Sequence, residues 1–238
     1  MSFGRILSDV ASRQKQVIVY APDDSGSELA DVLATRNLTV DHRQLPAISS
    51  EAFVIVRDNG EFQGALSLAD LLSFLTPPIR RPEDLDSLAR KHRIVYELLD
   101  DTVFVSLDRR QLLATSRELE DRAWRTGHGR LHAGFQRADA FEAQRTVYQE
   151  LSTTDIDIHL YVPGGVTGDP LTDTPLTLHT GNGERDRYWF ILFDDGDSGA
   201  QNCALIARET DGGRYRGLWT YNEALVEEAF KAVSSYDS

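Results

Sequence analysis

Cysteine occurs once, at Cys203, so the chain can form no disulfide with itself and no four-thiolate metal site. Lysine is almost as scarce: Lys15, Lys91 and Lys231 are the three lysines among 25 basic residues, and every other one is arginine. No run of Lys and Arg exceeds two residues, which leaves no basic stripe of the kind that tracks a phosphate backbone, and direct nucleic-acid binding is not expected. Apolar runs are short as well. None approaches the roughly 20 residues that cross a bilayer, and the opening MSFGRILSDVASRQKQ spaces its apolar residues as a helix does rather than as a signal peptide. There is no GxSxG elbow, P-loop or GxGxxG turn, which removes the commonest hydrolase and nucleotide signatures. These absences lead to the expectation of a cytoplasmic protein whose direct partner is neither a membrane nor DNA.

Carboxylate is what the chain has in excess. Against 25 Lys and Arg stand 38 Asp and Glu, giving a formal charge of −13 and a pI near 4.8. Many carboxylates with few lysines suit a cytoplasm of molar salt, where a screening length of about 3 Å at about 1 M removes the self-repulsion. The composition therefore reads as salt-adapted. With 41% hydrophobic residues, the 238-residue chain has apolar material for one large core or two smaller ones.

Hydrophobic spacing organises the chain into short elements. Phe3, Ile6, Leu7 and Val10 mark one face of a helix, residues 16–20 read as a buried strand, and Leu29, Val32 and Leu33 mark a second helix before an alternating strand at 38–42. Residues 52–57 and 61–66 flank Asn59-Gly60, a strong hairpin signal because both turn residues need positive φ. A helix at 67–75 follows. Pro77, Pro78 and Pro82 then place a boundary in 76–83, and the expected division is an N-terminal α/β subdomain at 1–80 and a core at 81–238. In the second part we expect helices at 85–93, 109–125, 138–151 and 222–233, and strands at 102–107, 130–136, 156–162, 176–179, 188–193, 203–208 and 215–220.

The fold class expected is α/β (α+β), with mixed β-sheets flanked by helices in two related halves. Each half reads helix, strand, helix, strand, hairpin, helix, once over 2–75 and once over 109–235 with an extra strand and loop inserted after Val162. Gly64 precedes Ser67 as Gly217 precedes Thr220. Ser67 with Asp70, and Thr220 with Glu223, each resemble a capping box at the start of a helix.

Several constellations carry chemistry, each with a plainer reading beside it. His128 and His132 stand four apart, but Gly127 and Gly129 break the helix that a metal pair would need. Asp157, His159 and Tyr161 alternate with Ile158 and Leu160 and share one strand face, which lines a pocket or meets solvent. Asp194, Asp195 and Asp197 lack calcium-loop spacing and read as a solvated acidic turn. Trp124, Trp189 and Trp219 fall in segments expected to be packed. Residues 53–75 resemble the strand-hairpin-helix half of CBS domains, and the adenosine-nucleotide binding of that family is carried as an alternative.

The strongest resemblance lies further on. The stretch 116–129, SRELEDRAWRTGHG, followed by Gly134-Phe135-Gln136-Arg137, resembles the central motif of the DICT sensory domains. Asp157-Ile158-His159-Leu160-Tyr161-Val162 is similar to that family's Asp-x-His-x-Tyr strand, and Leu218-Trp219-Thr220-Tyr221-Asn222 to its closing segment. Ala138-Asp139 departs from the apolar-Ser pair more usual there. The first 80 residues resemble the leading part of stand-alone forms from halophilic archaea.

This resemblance implies a sensory input module, associated with diguanylate cyclases and two-component systems, that binds a small ligand or a protein partner and does not catalyse. No kinase, cyclase or helix-turn-helix is recognised in the chain, so its output is expected through a signalling partner or a second copy. The cofactor is left unknown and no metal is assigned. The candidate ligand-binding residues are Arg122, Trp124, Phe135, Gln136, Arg137, His159, Tyr161, Trp219 and Tyr221, gathered at the carboxyl ends of strands 130–136 and 156–161, with Arg137 favouring a planar anion. The competing expectation is an enzyme in which His159 works with Asp157 or Arg137 as acid and base.

Overall fold

Residues 2–13, 15–22, 29–30, 33, 38–45, 51–75, 103–164, 175–181, 183–197 and 199–236 are described by a computed structural model. The proline-rich boundary at 76–83, the division between 80 and 81, and the helix expected at 85–93 lie outside them. The chain forms two units, Asp9–Val105 and Met1–Ser8 with Ser106–Ser238. Both are built on mixed sheets, as the alternating patterns require.

In the smaller unit the strands β1 (Lys15–Ala21), β2 (Leu38–Gln44), β3 (Phe53–Asp58) and β4 (Glu61–Ser67) lie in the order β2-β1-β3-β4. The helix α1 (Phe3–Ser12), whose residues up to Ser8 belong to the larger unit, precedes them and α2 (Leu68–Leu75) follows. β1 runs parallel to β2 and antiparallel to β3. Its Val17 and Val19 join Val54, Val56 and Leu71 in the core. The β3–β4 turn uses Asn59 (φ 48°) and Gly60 (φ 84°), the conformation that matches the twist of the strands it joins. Ser67 caps α2, its hydroxyl accepting from the Asp70 amide at 3.0 Å.

The larger unit holds β5 (Val103–Asp108), α3 (Arg109–Thr126), β6 (His128–Gly134), α4 (Ala138–Glu142), α5 (Arg145–Leu151), β7 (Asp155–Pro163), β8 (Leu176–Gly181), β9 (Tyr188–Asp194), β10 (Cys203–Glu209), β11 (Arg214–Thr220) and α6 (Glu223–Ser235). Its sheet has the order β5-β11-β10-β9-β6-β7-β8. β6 is parallel to β7 and antiparallel to β9. The run β7-β6-β9-β10 thus repeats β2-β1-β3-β4 in both order and sense of pairing. This corrects the sequence alignment of the two halves: the counterpart of hairpin β3–β4 is β9–β10, and β11 is the added strand before the last helix.

Register sorts the side chains of β6 onto two faces. His132 and Gly134 share one face with His159, Tyr161, Phe190 and Leu192; Leu131 and Ala133 share the other with Ile158, Ile191 and Phe193. The first face is covered by Phe230 of α6, 5.0 Å from His132, and by Phe3 of α1, 5.0 Å from Phe190. On the second, Phe135 meets Phe141 of α4 at 5.3 Å and Tyr148 of α5 at 5.6 Å.

Two local expectations are corrected. The single helix expected at 138–151 is broken at Ala143-Gln144, where the side-chain amide oxygen of Gln144 accepts from Arg117 of α3, a tertiary bond to which local periodicity is blind. α6 is capped by Asn222, whose side chain accepts from the Ala224 and Leu225 amides at 3.0 and 3.4 Å. Thr220 stays in β11, buried, its hydroxyl accepting from the Asn222 amide.

Gly134 stands where a Cβ would overlap the Phe190 ring, which is itself wedged against Phe3 and Tyr161. Gly134→Ala should therefore cost about 1–3 kcal/mol through overpacking. Urea unfolding measures it, and an unchanged midpoint would show that Phe190 can yield.

Candidate functional site

The central motif folds as α3 and the turn into β6, and most of it turns inward. Glu120 is buried and accepts from the Tyr148 hydroxyl at 2.6 Å and from Arg117 at 2.6 Å. Burial pushes its carboxyl pKa up, opposed by those two partners. Arg122 is also buried. It donates to the carbonyls of Gln201 (3.1 Å) and Ala200 (3.2 Å) and stacks on Tyr221 at 4.9 Å. The candidates Arg122 and Tyr221 therefore do come together, as a clamp on the loop after β9.

That loop is no solvated acidic turn. Asp195 is 3% exposed, and its carboxylate accepts from the amides of Asp197, Gly199 and Gln201. The backbone itself satisfies the buried charge, which short turn residues permit and composition does not reveal. Trp124 corrects another expectation: it is 56% exposed on α3, because the helix buries Leu119 and Ala123 instead. Half-buried Trp219 stands opposite Leu205 in the β10–β11 register, on the sheet face of Ile191 and away from His159.

His159 and Tyr161 belong to a ladder of rings across β6, β7 and β8. His132 stacks on His159 at 4.5 Å and His159 on His179 at 5.2 Å, while Tyr161 stacks on His179 at 4.3 Å. Hydrogen bonds join the same rings: His159 Nδ1 to His179 Nε2 at 2.9 Å, His159 Nε2 to Asp157 at 3.2 Å, and the Tyr161 hydroxyl to His132 Nδ1 at 3.0 Å. Arg185 lies over Tyr161 at 4.8 Å. Both ring nitrogens of His159 are thus engaged by neighbouring side chains. His128 is apart from this group, its Nδ1 at 3.0 Å from the Asp195 carbonyl. Among the described residues no three His, Cys, Asp or Glu side chains are grouped to hold a metal.

A separate cavity of about 210 Å³ opens on the other face, where β6 runs out. Phe135, Gln136 and Arg137 reach it from β6, Trp189 from β9, Glu209 and Tyr215 from the β10–β11 turn, and Arg109 from the start of α3. Gln136 is anchored by donating to the Arg187 carbonyl at 2.8 Å. Arg137 pairs with Asp139 through two bonds of 3.0 and 3.1 Å, so its charge is already matched. Trp189 and Tyr215 meet edge to face, centroids 6.0 Å apart. As whole residues they are only 8% and 5% exposed.

The single crevice expected from sequence is therefore divided in two. β6 and β7 are parallel neighbours and end on one edge, but His159 and Tyr161 share a face with His132 and Gly134, whereas the cavity on the other face is lined by Phe135 and, where the chain has left β6, by Gln136 and Arg137. Sequence reasoning missed Arg109, Glu209 and Tyr215, and singled out Trp189 among three tryptophans, as a core anchor first and a cavity edge second. Their convergence depends on the register of β9, β10 and β11 and on where α3 starts, and the faint signal was the pair of aromatics near the starts of two late strands, Trp189 and Tyr215.

Lysine cannot reproduce the two separated bonds of Arg122 or its stacking on Tyr221. Arg122→Lys should cost about 1–3 kcal/mol in urea unfolding, and equal stability would refute the clamp. His132 gives a pH dependence. Burial, then the neighbouring His159, pushes its pKa down to about 3. Unfolded, it titrates near pH 6.5, so below that pH protons bind the unfolded chain more tightly. The stability held by neutral His132 is complete above about pH 6.5 and is lost toward pH 3, at up to about 1.4 kcal/mol per pH unit. His132→Phe should flatten stability between pH 6 and 4 relative to the parent, and parallel pH curves would contradict this.

No curated protein matches the chain. Among solved structures, a polyphosphate kinase from Porphyromonas gingivalis aligns over 95% of this chain at 11% identity with a TM-score of 0.38, and the chain spans 47% of that kinase. The family described as DICT, the sensory domain in diguanylate cyclases and two-component systems, matches residues 92–210, half of the chain. The protein therefore belongs to the DICT sensory domain family.

Proposed function

We propose that the protein is a non-catalytic signal-input module that detects a small molecule in the cavity at the end of β6. Its output passes to a signalling protein or to a second copy of the chain. One observation carries this reading: Phe135, Trp189 and Tyr215 line a space of about 210 Å³ together with Arg109 and Glu209, side chains of opposite charge. The space lies below the roughly 300–1,000 Å³ of drug-sized pockets and suits a small metabolite. The ladder around His159 supports the non-catalytic side, since that imidazole already has two partners and its stacked neighbours crowd it. The acidic, lysine-poor composition remains the basis for placing the protein in salt-rich cytoplasm.

The half-buried Ala140 of α4 lines the cavity, and Ala140→Phe would fill it. Native mass spectrometry of the full chain after exposure to a cellular small-molecule extract should show an adduct that this variant loses while keeping its melting temperature. No adduct, or one that persists in the variant, would overturn the reading.

A further inference from the structure

The cavity presents charges of both signs that are not matched to each other. Arg109 and Glu209 both line it, and neither makes a hydrogen bond or ion pair with a described residue. Arg137, the third charge, is held by Asp139. All three act electrostatically on the Tyr215 phenol. Its pKa is raised first by burial, then by Glu209, with Arg109 and Arg137 pulling it down. A solvated pair of opposite charges on a surface ordinarily closes or drifts apart at little cost. Here they line the same cavity as two aromatic side chains, Trp189 and Tyr215, that are more than nine-tenths buried.

The arrangement selects a ligand by three separate features. Arg109 is the first residue of the 18-residue α3, so its guanidinium and the positive end of the helix act together on a carboxylate. Glu209 supplies the opposite charge at the end of β10 and suits an ammonium. Between them, Phe135, Trp189 and Tyr215 offer flat apolar surface with a donor at two edges, which fits an aromatic ring. A simple anion would leave Glu209 repelling it, and a simple amine would face Arg109.

We infer that the cavity takes the zwitterion of an aromatic α-amino acid, its carboxylate toward Arg109 and the start of α3 and its ammonium toward Glu209. This rests on the ligand-sensing reading and names the ligand class of the same site. Calorimetry with L-phenylalanine and L-tryptophan, against phenylacetate and phenethylamine, separates the charge requirements. At least one amino acid should bind about tenfold or more tightly than either single-charge analogue, since each lost charge-assisted bond weakens binding by about that factor or more. Glu209→Gln should abolish the preference over phenylacetate, and Arg109→Gln the preference over phenethylamine. Both residues are exposed, so neither variant threatens folding. Absence of binding by both amino acids, or phenylacetate binding as well as they do, overturns the zwitterion. In those outcomes an extract-derived adduct that Ala140→Phe removes still leaves the sensing role standing. Amino-acid binding that survives Ala140→Phe overturns the site as well.

Discussion

The two-residue period of β6 governs what the larger unit can present. This strand joins the parallel side of the sheet, β7 and β8, to the antiparallel side, β9, β10 and β11, and helices cover both of its faces. A side chain on β6 must therefore commit to one of two enclosed environments. His132 and Gly134 commit to the face of rings. Phe135 commits to the other, where the chain then leaves the sheet and opens the cavity. A shift of register by one residue would exchange the two environments and drive His132 among the aliphatics of Leu131 and Ala133.

Charge buried around this strand is held by groups of the protein itself. Asp195 is satisfied by backbone amides, Arg122 by backbone carbonyls, and Glu120 by a phenol and an arginine. Each would be expensive alone, and each is matched by groups that local chain geometry supplies. The family motif around Glu120 and Arg122 is thereby explained as architecture. It fixes α3 to α5 on one side and to the loop after β9 on the other, and so sets where Arg109 stands at the helix's opposite end.

Much of this was legible in sequence where the signal is local. The Asn59-Gly60 turn, the Ser67 cap, the length of α3 and the parallel pairing of β6 with β7 all follow from short-range spacing and from the crossover helix between the strands. The site was less legible because it depends on which face each strand shows and which strands lie side by side. His159 and Tyr161 shared a face as the alternation required, but their companions were His132 and His179, rings from neighbouring strands. Trp124 failed because burial by helical spacing is decided by a few tens of degrees, and the stripe of Leu119 and Ala123 excludes it. The cap of α6 moved two residues because Thr220 had a ladder position to keep.

Cys203 sits at the start of β10, fully enclosed, opposite Phe193 and with the Arg122 charge nearby. Desolvation pushes its thiol up to about 12, so the thiolate that reacts with peroxide, disulfide or electrophile is essentially unpopulated at neutral pH. Since no other cysteine exists in the sequence, sulfur oxidation at cysteine gives this module no vocabulary. A peroxide or disulfide signal read through cysteine therefore has no reactive thiolate to act on in this chain.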